Sequence, residues 1–160
     1  MSKQLSYPSA VFPAPPVVTL DVPDDWEPLA LQGVVLAAGA PLVPGVFRPN
    51  VVVATTRVTE GYELQTAITA VSQKFASLEQ SHEIGRELST INGTEWFHIE
   101  TSFIDPRAGT LVQAVHLAII AQGPFVDLVQ VTATVTGTQA HETMLDVVRA
   151  IQRSVVIAAN

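Results

Sequence analysis

The dipeptide Asn92-Gly93 lies between two runs of residues that favour β-strands, 83–91 and 95–104. Asn-Gly is the pair that a two-residue type I′ turn prefers, because both turn positions need a positive φ. Two strand-like runs joined by this pair predict an antiparallel β-hairpin. The hairpin therefore places an antiparallel sheet in the second half of the chain.

Five further strands and two amphipathic helices surround the predicted hairpin. Apolar residues recur at spacings of four and three over 64–78, which predicts a helix with one buried face. A second apolar stripe predicts a closing helix over 140–155, with Thr138 as its N-cap. In chain order the predicted elements are strands 17–22, 32–38 and 50–59, the first helix, strands 83–91, 95–104, 111–121 and 125–136, and the closing helix.

This order, β-β-β-α-β-β-β-β-α, keeps strands and helices in separate blocks. Such an arrangement predicts an α+β fold in which helices pack on a mostly antiparallel sheet. The 160 residues contain no internal repeat and no linker, so we expect a single domain over 1–160. Prolines are frequent in residues 1–16 and predict an extended N-terminal lead-in, since proline fixes φ and lacks an amide donor.

The net charge and the lengths of the apolar runs exclude two classes of partner. Fifteen acidic residues against eight basic residues give a formal net charge of −7. A sequence-independent nucleic-acid binder needs a basic surface, so we expect no nucleic-acid partner. Apolar runs are broken by proline and glycine before they reach the roughly 20 residues that a spanning helix needs, so we expect no membrane insertion.

The termini and the cysteine content bear on location. The chain has no cysteine, which excludes a lipid-modified cysteine in the printed sequence. No uninterrupted apolar segment follows the first residues, so the sequence lacks the pattern of a signal peptide. We therefore expect a cytoplasmic protein from the chain as printed. An envelope location is the alternative if the sequence is a trimmed mature form.

The turns also predict which side chains meet across the sheet. If Phe103 pairs with Leu111, then His98 lies opposite His116. If the Asn-Gly turn is closed by its direct neighbours, Glu87 lies opposite His98. Neighbouring strands are about 4.8 Å apart, so side chains that are opposite each other can touch.

The last turn extends this row by one more side chain. If Ala121 pairs with Phe125, Gln130 lies beside His116. A slip of one residue would move a side chain to the other face of the sheet. A mixed apolar and polar surface on a sheet is typical of ligand sites. The candidate ligand-binding residues are Trp96, His98, Glu100, His116 and Gln130.

A metal site is the alternative interpretation of the same row. Two imidazoles and one carboxylate form a recognised set of metal ligands. Glu87, His98 and His116 would supply that set, either in a metal-dependent enzyme or in a metal-binding protein. A solvent-open pocket at these residues would favour this hypothesis, and a helix packed over them would contradict it.

Motifs of catalysis are absent from the sequence. It contains no HExxH, GxSxG, phosphate-binding loop or GxGxxG pattern. We therefore expect a protein that is not an enzyme, has no catalytic residues and needs no cofactor.

Several segments resemble a known family. The segment 17–26 (VVTLDVPDDW) reads as a strand that runs into a P-x-x-W sequence, and 47–53 (FRPNVVV) opens the next strand. Together with the following helix, the Gly93 hairpin with its Trp96-Phe97 pair and the closing helix, they resemble the actinobacterial LpqN/LpqT lipoprotein family, within the PsbP-like fold. The resemblance covers residues 12–156.

The resemblance implies a three-layer α/β/α sandwich and a binding or assembly module without catalytic residues. Members of the family are exported lipoproteins with a lipidated cysteine, and the chain departs from that pattern because it has none. The leading hypothesis is therefore a non-enzymatic module for a protein partner or a small ligand. A structural subunit of a larger complex, including a homo-oligomer, is a further hypothesis, since the low charged fraction favours contact with a partner.

Overall fold

The fold is built on one long antiparallel sheet, described by a computed structural model for residues 1–158. The elements are β1 (Val17–Thr19), β2 (Glu27–Pro28), β3 (Leu36–Gly39), β4 (Asn50–Val58), α1 (Leu64–Ala76), β5 (His82–Ile91), β6 (Thr94–Asp105), β7 (Gly109–Gln122), β8 (Phe125–Thr136), α2 (Gly137–Glu142), α3 (Met144–Arg153) and β9 (Val156–Ala158). Seven strands pair in the order β2-β3-β4-β8-β7-β6-β5, and β1 pairs separately with β9.

Helices cover both faces of this sheet. On one face α1 buries Ala67, Ile68 and Phe75 against Ile99 and Leu117 of the sheet. On the opposite face α3 packs on a second apolar cluster. That cluster includes Trp96, Ala114, Ala118, Val131, Val148 and Ile151. The α+β class and the mostly antiparallel sheet predicted from the sequence are confirmed.

The closing helix differs from the prediction in its start and its continuity. Thr136, not Thr138, is the N-cap of α2, and its hydroxyl accepts a hydrogen bond from the Gln139 amide while the Gln139 side chain bonds back to Thr136. Thr143 has a φ of −143°, which is not helical, so the chain forms two helices where one was predicted. The short strands β2 and β9 were not predicted. They have two and three residues, too few for an alternating pattern, and their strand conformation depends on pairing with β3 and β1.

The predicted Asn-Gly hairpin is present and also contacts a helix. Ile91 pairs with Thr94, and Asn92 and Gly93 adopt φ values of 50° and 82°. The Asn92 side chain donates a hydrogen bond to the carbonyl of Val155, just beyond α3. This bond holds the end of the β5–β6 hairpin beside α3, and the space between them is the candidate site.

Residues 1–16 contain no helix or strand, but side chains of the sheet bind their backbone. Arg57 of β4 donates to the carbonyl of Pro13 at 2.9 Å and forms an ion pair with the buried Asp127 of β8. Gln122 donates to the carbonyl of Ala14. Within residues 1–158 no helix is long and apolar enough to span a bilayer.

Candidate functional site

The register brings His98 and His116 into direct contact. His98 of β6 pairs with His116 of β7, as the turn length predicted, and Glu87 of β5 pairs with His98. The two imidazole rings meet edge to face with centroids 4.4 Å apart. Their Nδ1 atoms are 2.5 Å apart, so the two rings share a hydrogen bond.

Glu100 and Arg149 extend this contact into a chain of four polar side chains. His98 Nε2 lies 2.7 Å from Glu100 Oε2, and Arg149 of α3 binds both carboxylate oxygens of Glu100. Burial by itself would raise the pKa of Glu100, but the hydrogen bonds from Arg149 and His98 lower it to about 2. Glu100 is therefore ionised, and His98 Nε2 carries the proton in this bond.

His116 ends the chain inside the protein. It is 3% exposed, and its ring lies 5.6 Å from the ring of the fully buried Trp96. Burial lowers the pKa of His116 to about 3, with the nearby His98 and Arg153 acting in the same direction. A neutral His116 has one N–H donor and one acceptor nitrogen. Its Nε2 is buried and has no hydrogen-bond partner in the part of the chain that the structure describes.

A cleft of about 450 Å³ opens above this chain, between the β5–β6 edge of the sheet and α3. Its floor is polar because the strand faces beneath it carry His98, Glu100 and His116. It is lined by Gly85, Arg86, Glu87, Ser89, Ile91, His98, Glu100, His116, Arg149 and Arg153. Cavities of a few hundred Å³ are the usual size of small-ligand sites.

The metal set proposed from the sequence is not formed. Across residues 1–158 no three His, Cys, Asp or Glu side chains are grouped closely enough to hold a metal ion. Glu87 does lie opposite His98, but both ring nitrogens of His98 face other side chains, one Glu100 and the other His116. No nitrogen of His98 is left for a metal shared with Glu87.

The predicted register of Gln130 is wrong. Gln122 pairs with Phe125 across a tight two-residue turn, so His116 faces Val131 instead of Gln130. The difference is one residue in register, which moves a side chain to the opposite face of the sheet. Gln130 instead lines a separate groove of about 420 Å³ beside α1. Trp96 is on the predicted face but is only 1% exposed, so it supports the floor and does not line the cleft.

Two cleft residues on α3 escaped the sequence analysis. Arg149 and Arg153 are four residues apart, and residues at that spacing share one face of a helix. The sequence could have indicated them, because two arginines four residues apart form a basic patch on the amphipathic closing helix. Their position over β6 depends on helix packing, which local patterns do not reveal.

No protein-family model matches the chain, and no curated protein matches it in sequence. Its structure is similar to that of Mycobacterium tuberculosis LpqN, described as involved in cell envelope biogenesis, with 18% identity over 91% of this chain and 86% of LpqN, and a TM-score of 0.76. It is also similar to the cyanobacterial PsbP of Synechocystis, with 10% identity over 88% of this chain and 92% of that one, and a TM-score of 0.58.

A third similar structure is the Ran-binding protein Mog1p of Saccharomyces cerevisiae. It is 11% identical over 89% of this chain and 90% of Mog1p, with a TM-score of 0.54. Likenesses at such identities are evidence about fold and not about activity. Together they establish that this chain has the PsbP-like α+β sandwich fold that LpqN shares.

Proposed function

We propose that the protein is a non-catalytic binding module and that the cleft between β5, β6 and α3 is its ligand site. The observation that carries this proposal is the chain of hydrogen bonds under the cleft, from Arg149 through Glu100 and His98 to His116. It holds the polar groups of the floor in one arrangement, and a preorganised floor favours binding.

The same chain disfavours acid–base catalysis. A general acid or base must lie within hydrogen-bond reach of the proton that it transfers. Both ring nitrogens of His98 are engaged within the protein, and Glu100 is ionised and held by Arg149. His98 and Glu100 therefore offer no free proton-transfer atom, and His116, whose Nε2 has no partner within residues 1–158, is buried.

The structural likenesses support a binding module. Mog1p is described as Ran-binding, so the fold can serve recognition of a protein, and LpqN is described as involved in cell envelope biogenesis. We infer a distant relationship to the LpqN/LpqT family from the resemblance of sequence segments and fold together. The envelope is accordingly a location to test beside the cytoplasm. The size of the cleft favours a small molecule as the ligand over a protein.

A fragment screen followed by backbone amide NMR tests the proposal. We expect the fragments that bind to shift amide signals of residues that line the cleft. Ser89→Tyr places a large ring in the cleft and should abolish these shifts. Thr90→Tyr is the matched control, since the next residue of a strand points to the other face. Shifts that cluster in the groove beside α1, with no response at the cleft, would overturn the proposal.

A further inference from the structure

Two charged side chains that line the cleft have no partner among residues 1–158. Glu87 on β5 and Arg153 on α3 are both exposed. Within the described residues 1–158, neither forms an ion pair or a hydrogen bond through its side chain. They lie on different elements and do not pair with each other. The cleft therefore has an unpaired carboxylate on one wall and an unpaired guanidinium on the other.

The remaining charges at the cleft are already neutralised. Arg149 is bound to Glu100, and Arg86 is bound to Glu83. A ligand that binds here therefore meets Glu87 and Arg153 as the charges available for new ion pairs.

The fold places these two charges around a common floor. Glu87 lies directly opposite His98 in the β5–β6 register. Arg153 follows Arg149 by one helical turn on α3, and Arg149 reaches the floor at Glu100. Arg153 lines the same cleft as His116, which is the other end of the floor.

We propose that the cleft binds a small zwitterion, a molecule with a protonated amine at one end and a carboxylate at the other. This inference rests on the proposed function, because it names the ligand class of that same cleft. The amine would pair with Glu87, and the carboxylate would take the two parallel hydrogen bonds that the Arg153 guanidinium offers.

Electrostatic repulsion also favours a zwitterion over ligands that carry only one charge. An anion without an amine would meet the carboxylate of Glu87, and a cation without a carboxylate would meet the guanidinium of Arg153. Like charges that are brought together in a binding site discriminate against the wrong partner. Only a ligand that carries both charges satisfies both walls.

A series of linear amino acids tests the proposal, with glycine, 4-aminobutanoate and 6-aminohexanoate as probes of increasing span. Binding is measured by NMR titration of the full chain. We expect one member to bind and to shift amides near Glu87 and Arg153. Butylamine and butanoate, which each carry one of the two charges, should bind at least about tenfold more weakly, since each loses one charged hydrogen bond.

Single-residue variants test whether Glu87 and Arg153 each contribute to binding. Glu87→Gln and Arg153→Gln should each weaken binding about tenfold. Glu95→Gln and Arg107→Gln remove exposed charges outside the cleft and should leave binding unchanged. The double variant Glu87→Arg with Arg153→Glu should restore binding, because a linear amino acid can bind in the reversed direction.

Three outcomes would overturn the proposal that the ligand is a zwitterion. One is equal binding of butanoate and 4-aminobutanoate with sensitivity to Arg153→Gln alone, which would indicate an anion site. The second is the mirror result, in which butylamine binds as well and only Glu87→Gln weakens binding. The third is that no probe shifts the cleft although fragments do. In all three the cleft remains a ligand site, whereas fragments that bind only elsewhere would refute the proposed function itself.

Discussion

Arg149 of α3 binds Glu100 of β6 through two hydrogen bonds, from Nε to Oε2 at 2.7 Å and from Nη2 to Oε1 at 2.6 Å. The Glu100 side chain is 6% exposed, whereas that of Arg149 is 31% exposed. The pair thus joins α3 to the sheet, with Arg149 nearer the surface and Glu100 in the interior. It is also the first link in the polar chain that forms the floor of the cleft.

Removing the guanidinium should destabilise the fold. Arg149→Met leaves the buried carboxylate of Glu100 with His98 as its remaining side-chain partner. Breaking a buried ion pair from one side costs about 3 kcal/mol. We expect a loss of that order in the free energy of unfolding at pH 7, measured by urea denaturation.

A control and a rescue test this assignment. Arg107→Met removes an exposed arginine and should change stability by less than about 0.5 kcal/mol. Adding Glu100→Gln to Arg149→Met should recover part of the loss, because the unpaired charge is then gone. A single variant as stable as the wild type would contradict the pairing.

Acid should destabilise the protein through His116. Its pKa in the folded protein is about 3, below the ordinary value of about 6.5 that it has when unfolded. Between these values the unfolded chain takes up a proton that the folded protein does not. Stability is therefore retained above pH 6.5 and lost as the pH falls toward 3, by up to about 1.4 kcal/mol per pH unit for one group.

His116→Leu should remove this contribution, since leucine cannot titrate and suits the apolar surroundings of Trp96. Urea denaturation between pH 6.5 and 5 measures the slope before most carboxylates begin to take up protons. The same substitution at the exposed His141 is the control and should retain the wild-type slope. An unchanged slope in His116→Leu would exclude His116 as its source.

Arg57 should hold the N-terminal lead-in on the sheet. Its guanidinium binds both carboxylate oxygens of Asp127, donates to Pro13 and lies over the ring of Phe125. Arg57→Leu would release Pro13 and leave Asp127 buried without its cation. We expect faster thermolysin cleavage within residues 1–16 and a loss of about 3 kcal/mol in stability. Arg107→Leu is the matched control, and equal cleavage rates would contradict the role of Arg57.

A side chain at Gly93 should destabilise the hairpin turn. Its φ of 82° lies in the left-handed region, where a Cβ costs about 1 kcal/mol. Gly93→Ala should therefore lower the unfolding free energy by about that amount. Gly85→Ala is the matched control, because that glycine lacks a positive φ and an added Cβ would enter open space. Equal effects in thermal denaturation would show that the turn conformation is not the cause.

Short turns explain how much of the site was predictable. The Asn92-Gly93 turn and the turn before β7 each determine a register, and those registers place His98 opposite Glu87 and His116. Both predictions are confirmed. The third turn closes one residue tighter than expected, and that single residue removed Gln130 from the site.

Helix placement explains most of what was missed. Gln152 of α3 donates hydrogen bonds to the carbonyls of Ala114 and Val131 on the sheet, and all three are distant in sequence. Such contacts decide where Arg149 and Arg153 lie, and no periodicity reports them. The sequence pattern therefore predicted the floor of the cleft, while its α3 wall depends on tertiary packing.

The position of β5 at the edge of the sheet has a mechanical consequence for the cleft. β5 pairs with β6 alone, is interrupted by an irregularity between Glu83 and Gly85, and is exposed along most of its length. A strand held by one ladder opens at a lower free energy than the centre of a sheet. A molecule that contacts both β5 and α3 would raise the free energy needed to open this edge. Slower hydrogen exchange along β5 would then report occupancy of the cleft, whatever the chemistry of the occupant.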